Sequence, residues 1–157
     1  MSHAANAHAI YEKKIGDTEG SGEWCLIDQA RINAFAEVTE DRQFIHVDPE
    51  LSAQGPFGVP IAHGFLTLSL LTHLMSTVPG DFATLEGIVA GVNYGFEKIR
   101  FITPVKVNSK IRATSVLTNA VLKGSSLDIT KTITVEIEGE TKPALVAEWI
   151  TRAVYSS

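Results

Sequence analysis

The chain has 157 residues, 45% of them apolar and 20% charged, which suits one soluble globular domain with a true core. A formal net charge of −5, with its 13 lysines and arginines scattered, argues against a nucleic-acid or anionic-membrane surface. A single cysteine, Cys25, excludes an internal disulfide and a cysteine-based zinc site.

Residues 1–15 are polar and lack the basic start and apolar run of a secretory signal, and no apolar run approaches the ~18 residues of a membrane span. A cytoplasmic protein with no membrane partner is expected. The segment reads as a mobile or loosely packed terminus, with His3 and His8 in a frayed tail rather than at a metal. Glu23-Trp24-Cys25-Leu26-Ile27 reads as a strand, which makes Cys25 a packed core thiol. After Asp28 a short amphipathic helix follows, with Ile32, Phe35, Ala36 and Val38 on one face. Asp48-Pro49-Glu50 is an N-cap followed by proline at the first helical position, and Gly55 can end that helix. Gly55-Pro56-Phe57-Gly58 is a turn cluster.

From Ala62 to Met75 the apolar residues Phe65, Leu66, Leu68, Leu70, Leu71 and Leu74 cover nearly every angle of one helix, which is therefore expected to be buried on most sides. The second half is strands, expected over 86–93, 97–103, 109–122 and 144–155, with a fifth between the last two. In that fifth, Leu127, Ile129, Ile133, Val135 and Ile137 share one face, and Asp128, Thr130, Thr132, Thr134 and Glu136 the other. Lys131 is the one exception on the apolar face. Helices followed by strands of one antiparallel sheet make an α+β layer. A long sheet curled around one apolar helix is the hot-dog arrangement, here as a single domain over 1–157. Such a sheet leaves an edge that pairing between two subunits would cover, so a homodimer is expected.

The chemistry-bearing residues lie between Thr39 and Met75. Asp41 and His46 sit in a turn-rich segment at a spacing that lets them share one water as an acid/base pair. Pro60-Ile61-Ala62-His63-Gly64 opens the apolar helix, where a bare Gly64 N–H stabilises negative charge. His63 is read as structuring that junction, His73 as a structural histidine and Asp48 as a cap. Lys98, Arg100 and Lys106 are read as exposed strand charges.

Thr39-Glu40-Asp41-Arg42-Gln43-Phe44-Ile45-His46-Val47-Asp48-Pro49, preceded by Ala34-Phe35-Ala36, resembles the hydratase motif of the MaoC-like family of (R)-specific enoyl-CoA hydratases. Ile61-Ala62-His63-Gly64-Phe65 matches the family's second block. A third looks like the strand from Val92-Asn93-Tyr94-Gly95 to Arg100-Phe101-Ile102-Thr103-Pro104-Val105. The likeness spans roughly residues 20 to 154. It implies a hot-dog dimer and reversible syn hydration of a trans-2-enoyl-CoA to an (R)-3-hydroxyacyl-CoA. It implies no metal and no cofactor beyond the coenzyme A of the substrate. It carries catalysis onto Asp41 and His46, the thioester-oxygen donor onto Gly64, and a hydroxyl supporting the aspartate onto Thr72, with Ser69 second. Both hydroxyls can equally bond back to helix carbonyls. The usual Asp-x-Asn-Pro-(Leu/Ile)-His differs here by Gln43 and Phe44, a variant similar to the nodulation-protein-N-like branch. Gln43 keeps an amide donor on a longer arm, whereas Phe44 lacks proline's fixed φ. Two other functions fit the same fold: a hot-dog acyl-CoA thioesterase, and a non-catalytic acyl-CoA-binding partner subunit.

Overall fold

The computed structural model describes residues 1–80 and 82–156, with the backbone alone at 82. Helix α1 (His3–Glu12) is followed by two short strands, β1 (Thr18–Ser21) and β2 (Cys25–Ile27). Five α-helices come next: α2 (Gln29–Thr39), the one-turn α3 (Phe44–Val47), α4 (Pro49–Ala53), α5 (Gly64–Ser69) and, close behind it, α6 (Leu71–Ser76). The remaining strands are β3 (Ile88–Phe101), β4 (Ser109–Lys123), β5 (Ser126–Ile137) and β6 (Leu145–Tyr155). They form one antiparallel sheet in the order β1-β4-β5-β6-β3, with β2 also paired to β4. The α+β hot-dog arrangement expected from the alternation is the one observed.

The caps read from the sequence are in place. Asp28 accepts from the Arg31 N–H at 2.9 Å and opens α2; Asp48 accepts from the Leu51 N–H at 3.0 Å and opens α4, with Pro49 at its first position. Cys25 is buried in β2. Ile32 and Ala36 of α2 are buried, but Val38 is 80% exposed. It stands six residues after Ile32, about 240° around the axis, and so falls off the apolar face.

The apolar helix is broken rather than continuous. Leu70 both ends α5 and begins α6, and burial is one-sided: Leu66, Thr67, Leu71 and Leu74 face the sheet while Phe65 is 66% exposed. His73 is exposed as well, not the satisfied interior histidine expected. The two strands expected over 86–93 and 97–103 are the single strand β3. Its register against β6 shifts at 88/90, 93/95 and 96/98, and these bulges explain the apparent break in the sequence pattern.

The N-terminal segment is not loose. Ala4 and Ala7 of α1 are buried against Leu117, Leu127, Ile129 and Ala153. The Tyr11 hydroxyl donates to Thr84 Oγ1 at 3.3 Å, and His8 Nε2 donates to the Ala120 carbonyl at 3.2 Å. Two alanines three apart are too weak a stripe to mark a docking face in the sequence; their small size is what lets the helix lie close.

The apolar side of β5 therefore carries two cores. Ile133, Val135 and Ile137 pack under α5 and α6, and Leu127 and Ile129 pack under α1. Twelve strand residues run about 40 Å, whereas α5 and α6 together supply roughly 20 Å of helix. The central helices cover half the concave face, and α1 covers the far end.

Candidate active site

Helix α2 stops at Glu40, whose left-handed backbone (φ 61°) turns the chain so that Asp41 leaves the helix axis and is exposed. Arg42 folds back onto α2 through a two-pronged contact with Glu37, at 2.9 and 3.1 Å. Each group favours the other's charged form: the Glu37 carboxyl is held below its usual range and the Arg42 guanidinium above its own. Gln43 precedes α3, is exposed and caps nothing with its side chain.

One turn later His46 is buried. Its Nδ1 lies 2.7 Å from the Ile61 carbonyl, which can only accept, so Nδ1 carries the proton and Nε2 is bare. The Gln29 amide donates to the His46 carbonyl at 2.7 Å, and the Ile61 N–H donates to the Ile45 carbonyl at 2.9 Å. The short helix is thus pinned to α2 on one side and to the 60–64 junction on the other. Burial pushes the His46 pKa below its ordinary value; the Ile61 carbonyl opposes this, neighbouring His63 adds to it, and Asp41 opposes it.

His63 stands just before α5. Its Nε2–H donates to the Asp41 main-chain carbonyl at 2.9 Å, and its buried Nδ1 has no hydrogen-bond partner among the described residues. Its ring stacks on that of His46, centroids 3.8 Å apart and planes 24° from parallel, with Phe35 tilted against it at 5.0 Å. A carboxylate oxygen of Asp41 and a ring nitrogen of each histidine lie within 4.8 Å of one another. The set has the donor types of a metal site, but its two rings are stacked, with planes only 24° from parallel. A single ion cannot lie in both ring planes, and one nitrogen of each ring is already donating to a carbonyl.

Gly64 is the first residue of α5, and its N–H has no backbone partner among the described residues. The preceding strand-like residues are held by the Ala62 N–H to Val105 carbonyl bond at 2.7 Å and the Val107 N–H to Pro60 carbonyl bond at 2.9 Å. Beside Gly64 opens a cleft of about 210 Å³, lined by Ile61, Thr67, Phe101, Pro104, Val105 and Ala144. A Cβ on Gly64 would meet the Phe101 ring at 3.1 Å.

The structure thus brings Asp41, His46 and His63 to one place, with Gly64 the next residue along the chain. It leaves Ser69 and Thr72 exposed, and neither side chain makes a hydrogen bond among the described residues. Lys98, Arg100 and Lys106 are exposed, with the Arg100 guanidinium on the Ile99 carbonyl. Thr67, buried one turn into α5 and lining the cleft, was missed. Its spacing of three from Gly64 was a usable signal, because position i+3 faces the same side of a helix.

An antiparallel sheet packed on short helices, with a carboxylate and two imidazoles gathered at one place, is a frame able to do acid/base chemistry. The MaoC like domain family matches over residues 11–140, and the chain belongs to it. The 3-hydroxyacyl-thioester dehydratase Z of Mycobacterium tuberculosis H37Rv is 46% identical over 140 residues, covering 88% of this chain and 90% of that protein. Nodulation protein N of Rhizobium leguminosarum bv. viciae is 46% identical over 143 residues, covering 88% and 85%. The solved (R)-hydratase of A. caviae superposes with a TM-score of 0.67 at 26% identity, covering 87% of this chain and 94% of that one. The chain is a hydratase/dehydratase of this family.

Proposed function

We propose that the protein catalyses reversible syn hydration of trans-2-enoyl-CoA thioesters to (R)-3-hydroxyacyl-CoA. The observation that carries this reading is the gathering of the Asp41 carboxylate with a ring nitrogen each of His46 and His63, next in the chain to Gly64, whose N–H has no backbone partner among the described residues. The substrate thioester is placed in the cleft next to Gly64, with its carbonyl oxygen on that N–H.

A water molecule between Asp41 and His46 donates one hydrogen to the carboxylate and one to Nε2, which leaves an oxygen lone pair for C3. As the C3–O bond forms, a proton passes to the pair and the C2–C3 π electrons move toward the thioester carbonyl. The Gly64 N–H stabilises the developing enolate oxygen. The same pair returns the proton to C2 on the face that received oxygen, which makes the addition syn. Water's two hydrogens and one oxygen are all accounted for, and the reverse sequence is the dehydration. His63 ties Asp41 to the helix start through the Asp41 carbonyl and supports the His46 ring by stacking.

A homodimer belongs to the same reading. The 14 residues of β3 pair with β6 on one side only, and the exposed Val92, Tyr94, Phe96 and Phe101 lie along it. A second copy paired along β3 would cover that edge. No helix of the described residues is long and apolar enough to cross a membrane.

The test is hydration of crotonyl-CoA, followed by loss of enoyl-thioester absorbance, with wild type beside Asp41→Asn. Turnover to the (R)-alcohol, lowered at least ~100-fold in a folded variant, is the expected result. Release of free thiol without hydration, or a loss under about tenfold in the variant, would overturn the assignment.

A further inference from the structure

The concave face carries a polar belt between its two cores, and the catalytic reading does not use it. Lys131, the exception in the alternation of β5, points to the same side as Ile129 and Ile133. It pairs with Glu19 of β1 at 2.7 Å, and the buried Ser115 hydroxyl donates to the same carboxylate. Directly across from Lys131 stands Trp149 of β6, 7% exposed, with an indole N–H that has no hydrogen-bond partner among the described residues. A buried donor left unpaired and an ion pair set within an apolar face are both costly to the fold.

A strip of apolar side chains leads from Gly64 to this belt. Phe65 packs edge-on against Phe101, which pairs with Leu145; Ile99 and Phe96 follow along β3, and Phe96 stacks on Trp149 at 6.2 Å. Beyond Phe96 the strip ends, because the next inward pair is Asn93 with Thr151. From Leu145 to Trp149 is four residues, about 13 Å. That matches roughly ten carbons of an extended chain at ~1.25 Å each, the advance of a zigzag of ~1.5 Å bonds.

We infer that the Glu19–Lys131 pair, with the Trp149 N–H, is the floor of the acyl site and restricts the enzyme to thioesters of short and medium chain length. The inference rests on the proposed hydratase reading, which puts the thioester at Gly64. An acyl chain lying on the strip buries methylene groups as far as Trp149. The next methylenes meet a charged pair and an indole N–H that a hydrocarbon cannot satisfy. Each such carbon forgoes its burial gain, about fourfold in affinity, and takes water from the partly exposed Glu19 and Lys131, so longer chains bind more weakly. Helix α1, packed on the far side of the belt, closes the remaining apolar surface of β5 to the chain.

The experiment is a series of trans-2-enoyl-CoA substrates from four to sixteen carbons, read as kcat/KM relative to the four-carbon compound. Binding of the saturated acyl-CoAs of the same lengths is measured by calorimetry alongside. Wild type is expected to gain up to roughly ten carbons and to fall at least ~10-fold by sixteen. Replacing both partners, Glu19→Leu with Lys131→Met, leaves no unpaired charge and should move the fall to longer chains in both measurements. A wild-type profile still rising at sixteen carbons overturns the inference even if the double variant does not fold. A folded double variant with an unshifted profile also overturns it. Absence of hydration at every length would refute the catalytic reading instead, while the calorimetric series would still decide the floor.

Discussion

Gly64→Ala separates chemistry from folding more sharply than any other single change. The added methyl would sit 3.1 Å from two atoms of the Phe101 ring, a few tenths of an ångström too close. Phe101 is half exposed, so its ring can swing away. Alanine is also the better helix former, by up to ~1 kcal/mol over glycine. The two effects oppose, and stability should change by less than about 1 kcal/mol, a shift of no more than a few degrees in Tm. Turnover has no such compensation. In the proposed reading the methyl stands where the thioester carbonyl approaches the N–H, and losing one oxyanion donor typically costs 10²–10³ in kcat. A fall in kcat of roughly 100-fold is expected, with KM little changed because the bond strengthens chiefly in the transition state. The assay is crotonyl-CoA hydration beside a thermal melt. Activity within about threefold of wild type in a folded variant would show that Gly64 only packs, whereas a large loss of Tm would refute the stability estimate.

Burial holds the His46 pKa below the ordinary 6.5, so its Nε2 stays bare through neutrality. The acid limb of kcat/KM should therefore fall below pH 6.5; a midpoint above 6.5 would contradict a bare Nε2 as the working form. Stability follows the same sign: the unfolded chain takes up this proton first, so His46 contributes above pH 6.5 and the contribution fades as pH drops toward its folded value. Asp128, buried with Arg152 at 2.5 and 2.8 Å and Lys123 at 2.9 Å, is held down to about 2, chiefly by the Arg152 hydrogen bonds. Asp128→Asn should lower stability to urea at pH 7 by about 1–2 kcal/mol, less than the shift alone implies because both cations reach water. The difference should be full above pH 3.8 and shrink toward pH 2. Gly22→Ala should cost about 1–3 kcal/mol, seen as a lower Tm. Its Cβ would lie 2.4 Å from Thr77 Oγ1, which is engaged with the Glu23 N–H and the Leu74 carbonyl, and 3.0 Å from that backbone carbonyl.

Periodicity and short-range capping were legible without coordinates because they depend on neighbours within a turn or a strand. The alternation of β5, the caps at Asp28 and Asp48 and the proximity of Asp41 to His46 are of this kind, and so is the Gly64 helix start. The α+β class follows from them, and the family from the resemblance of the 34–49 and 61–65 blocks to its motifs. Tertiary contacts decided the rest. Whether Lys131 is a stray charge or one half of a pair depends on Glu19, 112 residues away. The proton on His46 is placed by the Ile61 carbonyl, and His63 is drawn into the site by the Asp41 carbonyl; main-chain acceptors leave no mark in a residue pattern. Helix α1 shows the limit most plainly. Its alanines bury only because the far end of a 12-residue strand, beyond the reach of α5 and α6, leaves apolar surface for a small-faced helix to cover.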